Sequence, residues 1–168
     1  MNSNFDDFYF DQDAIFMERN SRDFAMRSKI IDTNTEAICD FLRLRSGNPQ
    51  SVVKEVFYPK YTTRERYEKC RIKTNNREGG FGGLFSVTFT SLSASHAFFD
   101  ALTCHKGPSL GTNFTLASPF VILAHFTELE WAAQYGVEEG LVRVSVGLED
   151  TQTLLSIFDV ALRAAESV

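Results

Sequence analysis

The chain has 168 residues, of which 43% are hydrophobic and 23% charged, and its formal net charge is −5. This size and composition are typical of one soluble globular domain, and the negative charge disfavours nucleic acid as a partner. The sequence has no apolar run of the ~18 residues that a transmembrane helix needs, and its acidic amino terminus lacks the basic region of a signal peptide. We therefore expect a cytoplasmic protein with no membrane partner.

Helical periodicity marks residues 20–45, where apolar side chains recur at steps of three and four positions between charged ones. The apolar positions are Phe24, Ile31, Ala37, Ile38, Phe41 and Leu42. This pattern predicts an unusually long amphipathic helix. The segment GNP at 47–49 ends it, and residues 52–59 are predicted to form a short strand that closes at a proline.

Residues 60–77 carry many charged side chains and form either a solvated helix or a loop. We interpret them as exposed surface, with phosphate or partner binding as the alternative. The glycines at 79–83 predict a turn, because a phosphate-binding loop would lead into a helix, whereas the next segment alternates like a strand. In that strand, Phe85, Val87 and Phe89 form the buried face.

Capping signals predict the helices of the second half. Ser91 and Ser93 can cap a helix that runs to about Leu102. Its inner side is formed by Ala94, Phe98, Ala101 and Leu102. Residues 127–130, TELE, have the spacing of a capping box and predict a helix that ends at Gly136.

Residues 141–148 alternate like a strand that precedes a final helix. Val142, Val144, Val146 and Leu148 lie on one face of this strand, and Leu141, Arg143, Ser145 and Gly147 lie on the other. Asp150 caps the helix, whose inner side is formed by Leu154, Leu155, Phe158 and Ala161. The order of elements predicts an α/β chain of the α+β type, in which a small mixed or antiparallel sheet is covered on one side by helices.

The cysteines and histidines give no metal or catalytic assignment. Cys39, Cys70 and Cys104 are widely spaced, which favours reduced thiols over disulfides, and the histidines do not complete a zinc signature with them. Cys104 and His105 would pair as nucleophile and base only if their side chains pointed the same way, which neighbours in sequence rarely do. A packed thiol beside a surface imidazole is the favoured interpretation.

Arg143 lies in the middle of the predicted strand, on the face opposite the valines. One explanation for a guanidinium there is a salt bridge or a position at the rim of the sheet. The other is an anion site, because the planar fork of arginine matches a carboxylate with two parallel hydrogen bonds. Periodicity alone does not choose between them.

Two segments of the chain carry a family resemblance. The segment SLG at 109–111 is followed by LVRVSVGLED at 141–150. At this spacing, the pair is similar to the SLGG-x-E-[ST]-L and LxRxSxGxED segments of the trans-sulfuration enzymes, which belong to the pyridoxal-phosphate (PLP) enzymes of Cys/Met metabolism. Residues 18–42 resemble that family's long interdomain helix. The variants FTLASP at 114–119 and LEWAAQYGVEEGLVRVSVGLED at 129–150 look most like those of fungal cystathionine γ-synthases.

The resemblance implies a fold and a site. It implies the carboxyl-terminal small domain of a fold-type I PLP-dependent transferase at 20–168, preceded at 1–19 by a remnant of the large domain or a linker. It also implies that Arg143 binds the α-carboxylate of an amino-acid substrate and that Ser109 lies beside it. The implied cofactor is pyridoxal phosphate.

Two departures from the family pattern affect the expected activity. Phe114 stands where the family usually has glutamate, which leaves the substrate open. The family's Schiff-base lysine lies in an S-x-T-K sequence motif. None of the six lysines of this chain lies in such a motif; they are Lys29, Lys54, Lys60, Lys69, Lys73 and Lys106. Covalent cofactor binding by this chain alone is therefore not expected, and no catalytic or cofactor-binding residue is assigned.

Three functions follow as expectations. The first is a truncated or split enzyme for γ-replacement on an O-activated homoserine, inactive alone and dependent on a large-domain chain. The alternative is a non-catalytic binding or regulatory module that docks on a full-length homologue. The third is a small stand-alone enzyme that uses Cys104 or His125.

Overall fold

The computed structural model describes residues 10–48, 50–74 and 77–168. Its helices are α1 (Asp11–Ser21), α2 (Phe24–Ser46), α3 (Arg64–Glu68), α4 (Leu92–Ala101), α5 (Phe120–His125), α6 (Leu129–Ala133) and α7 (Thr151–Glu166). Its strands are β1 (Val53–Phe57), β2 (Lys73–Thr74), β3 (Arg77–Glu78), β4 (Leu84–Phe89), β5 (His105–Lys106), β6 (Leu116–Pro119) and β7 (Val142–Ser145).

The main sheet has five strands in the order β1-β4-β7-β6-β5. Neighbouring strands are antiparallel except β5 and β6, which are parallel, so the predicted small mixed sheet is confirmed. Helices α2, α4 and α7 pack together with the sheet in one core, while the short helix α5 contacts β6 and β7. In this strand order β7 is the central strand, with β4 on one side and β6 on the other.

Aromatic and branched side chains fill the core as the alternation predicts. Phe85, Val87 and Phe89 of β4 are all buried. The Phe98 ring of α4 lies 4.7 Å from that of Phe89, centroid to centroid, so helix and strand interdigitate. Thr88 departs from the simple pattern, since it is buried on the opposite face and its hydroxyl has no hydrogen-bond partner within the described residues.

The long helix predicted over 20–45 is confirmed as α2, and a separate helix, α1, which was not predicted, precedes it. Helix α1 ends at Ser21 and α2 begins at Phe24, whose side chain is 64% exposed although it opens the predicted apolar stripe. The buried residues of α2 start only near its middle: Asn34, Thr35, Ile38, Cys39 and Leu42. The stripe is a poor guide to burial at the start of α2, where Phe24 and Met26 are exposed, whereas Ile31 and Asp32 already contact the glycine segment at 79–83.

The capping signals had mixed outcomes. The Ser91 side chain accepts a hydrogen bond from the Ala94 N–H, and Asp150 accepts one from the Thr153 N–H, so both predicted caps are confirmed. The capping box at 127–130 is wrong. Residues Phe126–Glu128 form a 3-10 turn that continues from α5, so Thr127 does not occupy a cap position, and α6 begins only at Leu129.

Several side chains of the charged segment that follows β1, residues 60–77, form ion pairs. Lys60 contacts Glu36 at 2.6 Å and Asp40 at 2.8 Å, and Arg71 contacts Glu68 at 2.8 Å. Burial alone would raise the pKa of Asp40, but the hydrogen bonds from Lys60 and Tyr61 outweigh it and lower that pKa. These pairs favour the interpretation of the segment as exposed, self-neutralised surface.

Candidate functional site

Arg143 stands at the centre of the sheet, on the face away from the helical core. Its Cα is paired with Ser86 of β4 on one side and with Ser118 of β6 on the other. Its guanidinium donates through Nη2 to the Pro108 carbonyl oxygen and lies 4.8 Å from the centroid of the Phe120 ring. No carboxylate of the described chain forms an ion pair with it. A salt bridge, one of the two explanations that the sequence offers for Arg143, is thus not seen among the described residues.

The loop before β6 crosses this same face of β7. Its first anchor is Pro108, the acceptor for Arg143. Its second is Gly111, whose N–H donates to the Ser145 hydroxyl at 2.9 Å and whose φ of 76° favours glycine. Ser109 lies between these anchors and is exposed. The structure therefore brings Ser109 and Arg143 to one place, because Ser109 follows directly on the residue that Arg143 contacts.

The segment after β7 forms a buried polar junction that the sequence did not reveal. The Glu149 carboxylate accepts from the Thr115 N–H at 2.6 Å and from the Thr115 hydroxyl at 2.9 Å. The same hydroxyl oxygen accepts from the Gly147 N–H at 3.0 Å. These bonds tie the start of β6 to the end of β7, and so fix the far end of the loop that carries Ser109.

Asn34 connects this junction to α2. Its side-chain N–H groups donate to the carbonyl oxygens of Gly147, at 3.1 Å, and Glu149, at 2.8 Å. Its carbonyl oxygen accepts from the Thr151 hydroxyl at 2.6 Å. Asn34 is 1% exposed, so its amide is fully used inside the protein. The only sequence signal was a polar residue inside an apolar stripe, which did not identify partners more than a hundred positions away.

The other candidate side chains do not join this site. The His105 ring lies 4.6 Å from the Phe114 ring, centroid to centroid, and burial raises the pKa of the half-buried Cys104 thiol. A protonated thiol is a poor nucleophile. The His125 Nδ1 lies 2.7 Å from Glu128 Oε1. Within the described ranges, no cluster of three or more His, Cys, Asp or Glu side chains is arranged to hold a metal ion.

Comparison with known proteins identifies the family. The family described as Cys/Met metabolism PLP-dependent enzymes matches residues 9–163. The chain belongs to this family. Among residues 10–48, 50–74 and 77–168, no helix is both long and apolar enough to cross a membrane.

Curated relatives in this PLP-dependent family match nearly all of this chain with a small part of their own length. A cystathionine gamma-synthase-like enzyme of Amanita muscaria is 59% identical over 99% of this chain and 29% of its own. The cystathionine gamma-synthase of Neurospora crassa is 49% identical over 96% of this chain and 25% of its own. The likeness to fungal cystathionine γ-synthases is confirmed, and the chain spans less than a third of these relatives.

Solved structures of the PLP-dependent family share the fold. Cystathionine gamma synthase from Xanthomonas oryzae, in complex with cystathionine, has a TM-score of 0.72 and 26% identity, covering 89% of this chain and 37% of its own. Cystathionine gamma-lyase from yeast has a TM-score of 0.76 and 25% identity, covering 92% of this chain and 38% of its own. The small-domain fold expected from the resemblance is confirmed.

The family uses pyridoxal phosphate, and this cofactor has three requirements of a protein site. It needs an amine that forms an imine, a carboxylate at the pyridine nitrogen and a phosphate pocket. The lysines with described contacts are engaged elsewhere: Lys54 with Glu138, Lys60 with Asp40, Lys73 with Glu68 and Lys106 with the Phe99 carbonyl. None of these contacts involves Arg143 or Ser109. These four amines are thus paired with groups of the chain that lie away from the candidate carboxylate site.

Proposed function

We propose that this chain supplies the substrate-carboxylate site of a cystathionine γ-synthase-type enzyme, which carries out γ-replacement on an O-activated homoserine. The observation that carries the proposal is the half-buried Arg143 guanidinium, which stacks on Phe120 and has no carboxylate partner in the described chain. The guanidinium is partly exposed and has no counter-charge in the described chain, so an incoming carboxylate could reach it and satisfy it with charge-assisted hydrogen bonds.

The roles of the two residues follow from their positions. Arg143 would hold the α-carboxylate through its planar fork, and the exposed Ser109 hydroxyl would donate a further hydrogen bond from the loop. Together they would orient an amino acid by its carboxylate and leave its side chain free. The lysine and phosphate contacts for pyridoxal phosphate would come from residues outside this chain, so turnover would depend on them.

A binding experiment tests the role of Arg143. We expect L-2-aminobutyrate, an unreactive four-carbon amino acid, to shift the Arg143 side-chain and Gly111 amide signals of the chain saturably in NMR titrations. Arg143→Lys keeps the charge but loses the fork, so we expect affinity to fall about tenfold.

Arg163→Lys is the matched control, because Arg163 lies on the exposed side of α7, where it pairs with Asp159 at 2.6 Å. Its affinity should equal that of the wild type. Equal affinity of Arg143→Lys and the wild type would refute the carboxylate assignment.

We also propose a domain boundary near residue 20, with 1–19 belonging to a large domain or linker and 20–168 to the small domain. Helix α1 contributes no buried residue, which supports that division. The first turn of α2 is also exposed at Phe24 and Met26, and contacts with the rest of the fold begin at Arg27, which donates to Asn113, and continue at Asp32, which accepts from Gly82.

A second function, docking on a full-length homologue or a large-domain chain, is favoured by the uncovered helices. Large apolar side chains there are more than half exposed: Ile15, Phe16, Met17, Phe24 and Met26. Exposed apolar surface of this kind marks an interaction site. We expect the chain to co-purify with a full-length homologue and Phe24→Asp to weaken that association, whereas Val160→Asp, at an exposed site on α7, should not. Failure to co-purify would exclude this role.

A further inference from the structure

The Arg143 guanidinium is positioned by contacts of two different kinds. The Phe120 ring lies 4.8 Å from its central carbon, and the Pro108 carbonyl accepts from its Nη2. We propose that Phe120 is the positioning residue of the carboxylate site, because its ring holds the guanidinium for an incoming α-amino acid. This inference rests on the proposed function.

The two contacts leave the recognition edge of the arginine available. An aromatic ring that approaches a guanidinium stabilises the cation through its π face and does not consume an N–H donor. The hydrogen bond to Pro108 uses a single donor group, Nη2. Nη2 has a second N–H, and neither Nε nor Nη1 has an acceptor in the described part of the chain. One two-donor edge, formed by Nη2 with either Nε or Nη1, therefore remains for a carboxylate.

The Phe120 ring is itself braced from the other end of α5. Its centroid lies 5.7 Å from that of the His125 ring, and the two planes meet at 77°, an edge-to-face arrangement. His125 is fixed in turn by Glu128, whose Oε1 lies 2.7 Å from Nδ1. Because α5 follows β6 directly, this row of contacts holds the ring against the central strand.

A braced ring has a thermodynamic consequence for binding. Arginine loses rotamer freedom when it binds a ligand, and a side chain that is already ordered loses less of it. The ring also shields one side of the cation from water, which strengthens a hydrogen bond made on the open edge. Phe120 should therefore increase affinity for the carboxylate without contacting it.

The experiment uses the full chain, labelled with 15N, and three variants. The {1H}–15N heteronuclear NOE of the Arg143 Nε reports the order of the guanidinium, and titration with L-2-aminobutyrate reports affinity. Phe120→Leu keeps an apolar side chain but removes the ring, Phe120→Tyr keeps the ring, and Leu123→Ala changes an exposed position on the same helix.

We expect Phe120→Leu to lower the Arg143 NOE and to weaken binding about fivefold, with the backbone spectrum otherwise unchanged. A merely structural role of Phe120 would not predict a change confined to the Arg143 signal. Phe120→Tyr, which keeps the ring, and Leu123→Ala should both resemble the wild type. An unchanged NOE and unchanged affinity in Phe120→Leu would overturn the inference about Phe120 but would leave the proposed role of Arg143 standing. If the wild type does not bind L-2-aminobutyrate, the proposed function is wrong and the inference fails with it.

Discussion

Replacement of Gly147 with alanine should lower the free energy of unfolding by about 3 kcal/mol. A Cβ at this position would lie 2.5 Å from the Phe114 carbonyl carbon and Cα, and 2.6 Å from Glu149 Oε2. Such distances require the neighbours to move, and here the neighbour is backbone. The Phe114 backbone has little freedom, because the Asn113 carbonyl accepts from the Leu148 N–H at 2.8 Å and the Thr115 N–H is bound to Glu149.

Urea unfolding of the wild type and two glycine variants would measure the Gly147 effect. Gly107→Ala is the matched control, because its new Cβ would meet nothing closer than Leu116 Cδ2 at 3.8 Å, an ordinary contact. Its stability should stay within about 0.5 kcal/mol of the wild type. We also expect Gly147→Ala to perturb the NMR signal of the Gly111 amide, since the same loop is displaced. If Gly147→Ala were as stable as Gly107→Ala, the Phe114 backbone could move away from the new Cβ at little cost, and the prediction would be wrong.

The features that the sequence predicted well are those fixed by nearby residues. The valines of β7 alternate with period two, so Arg143 had to lie on the opposite face, as it does. Ser91 and Asp150 each cap the helix that begins at the next residue, and a cap needs only donors within the same turn. Local geometry of this kind is encoded over a few positions.

The features that the sequence did not predict depend on distant partners. Nothing near Phe24 shows whether its helical face is covered, because that is decided by which other surface reaches it. Helix α5 has six residues and follows a proline, so it is too short for periodicity to reveal. Phe120, its first residue, consequently was not expected to meet Arg143.

The candidate site combines these two kinds of information. Strand parity fixes the direction in which Arg143 points, but three long-range contacts decide what surrounds it: the Pro108 carbonyl, the Phe120 ring and the Ser145 bond to the loop. The rigidity of that loop depends in turn on the junction at Gly147. A site on a central strand is therefore controlled by residues that never contact a ligand.

Asn34 is the residue of that junction whose loss should cost most in hydrogen bonding. Asn34→Ala would leave the carbonyl oxygens of Gly147 and Glu149 and the Thr151 hydroxyl without their partner, the first in a buried and the other two in partly buried positions. Each unsatisfied buried group costs about 1 kcal/mol or more, so we expect a loss of about 3 kcal/mol in unfolding free energy. Thr33→Ala is the control, because Thr33 is exposed and donates only to the Lys29 carbonyl of its own helix.

Asn34→Asp separates the two kinds of hydrogen bond that Asn34 makes. The aspartate keeps an acceptor for Thr151 but places a carboxylate oxygen against the carbonyls of Gly147 and Glu149, where an N–H group stood. Burial and that repulsion should raise the pKa of the new carboxyl group above its unfolded value. Protonation restores a donor, so the stability lost at neutral pH should be partly regained as the pH falls. Urea unfolding across that range decides the question: a penalty that does not change with pH would mean that the side chain at 34 turns away from these carbonyls, and the junction would then not depend on its donors.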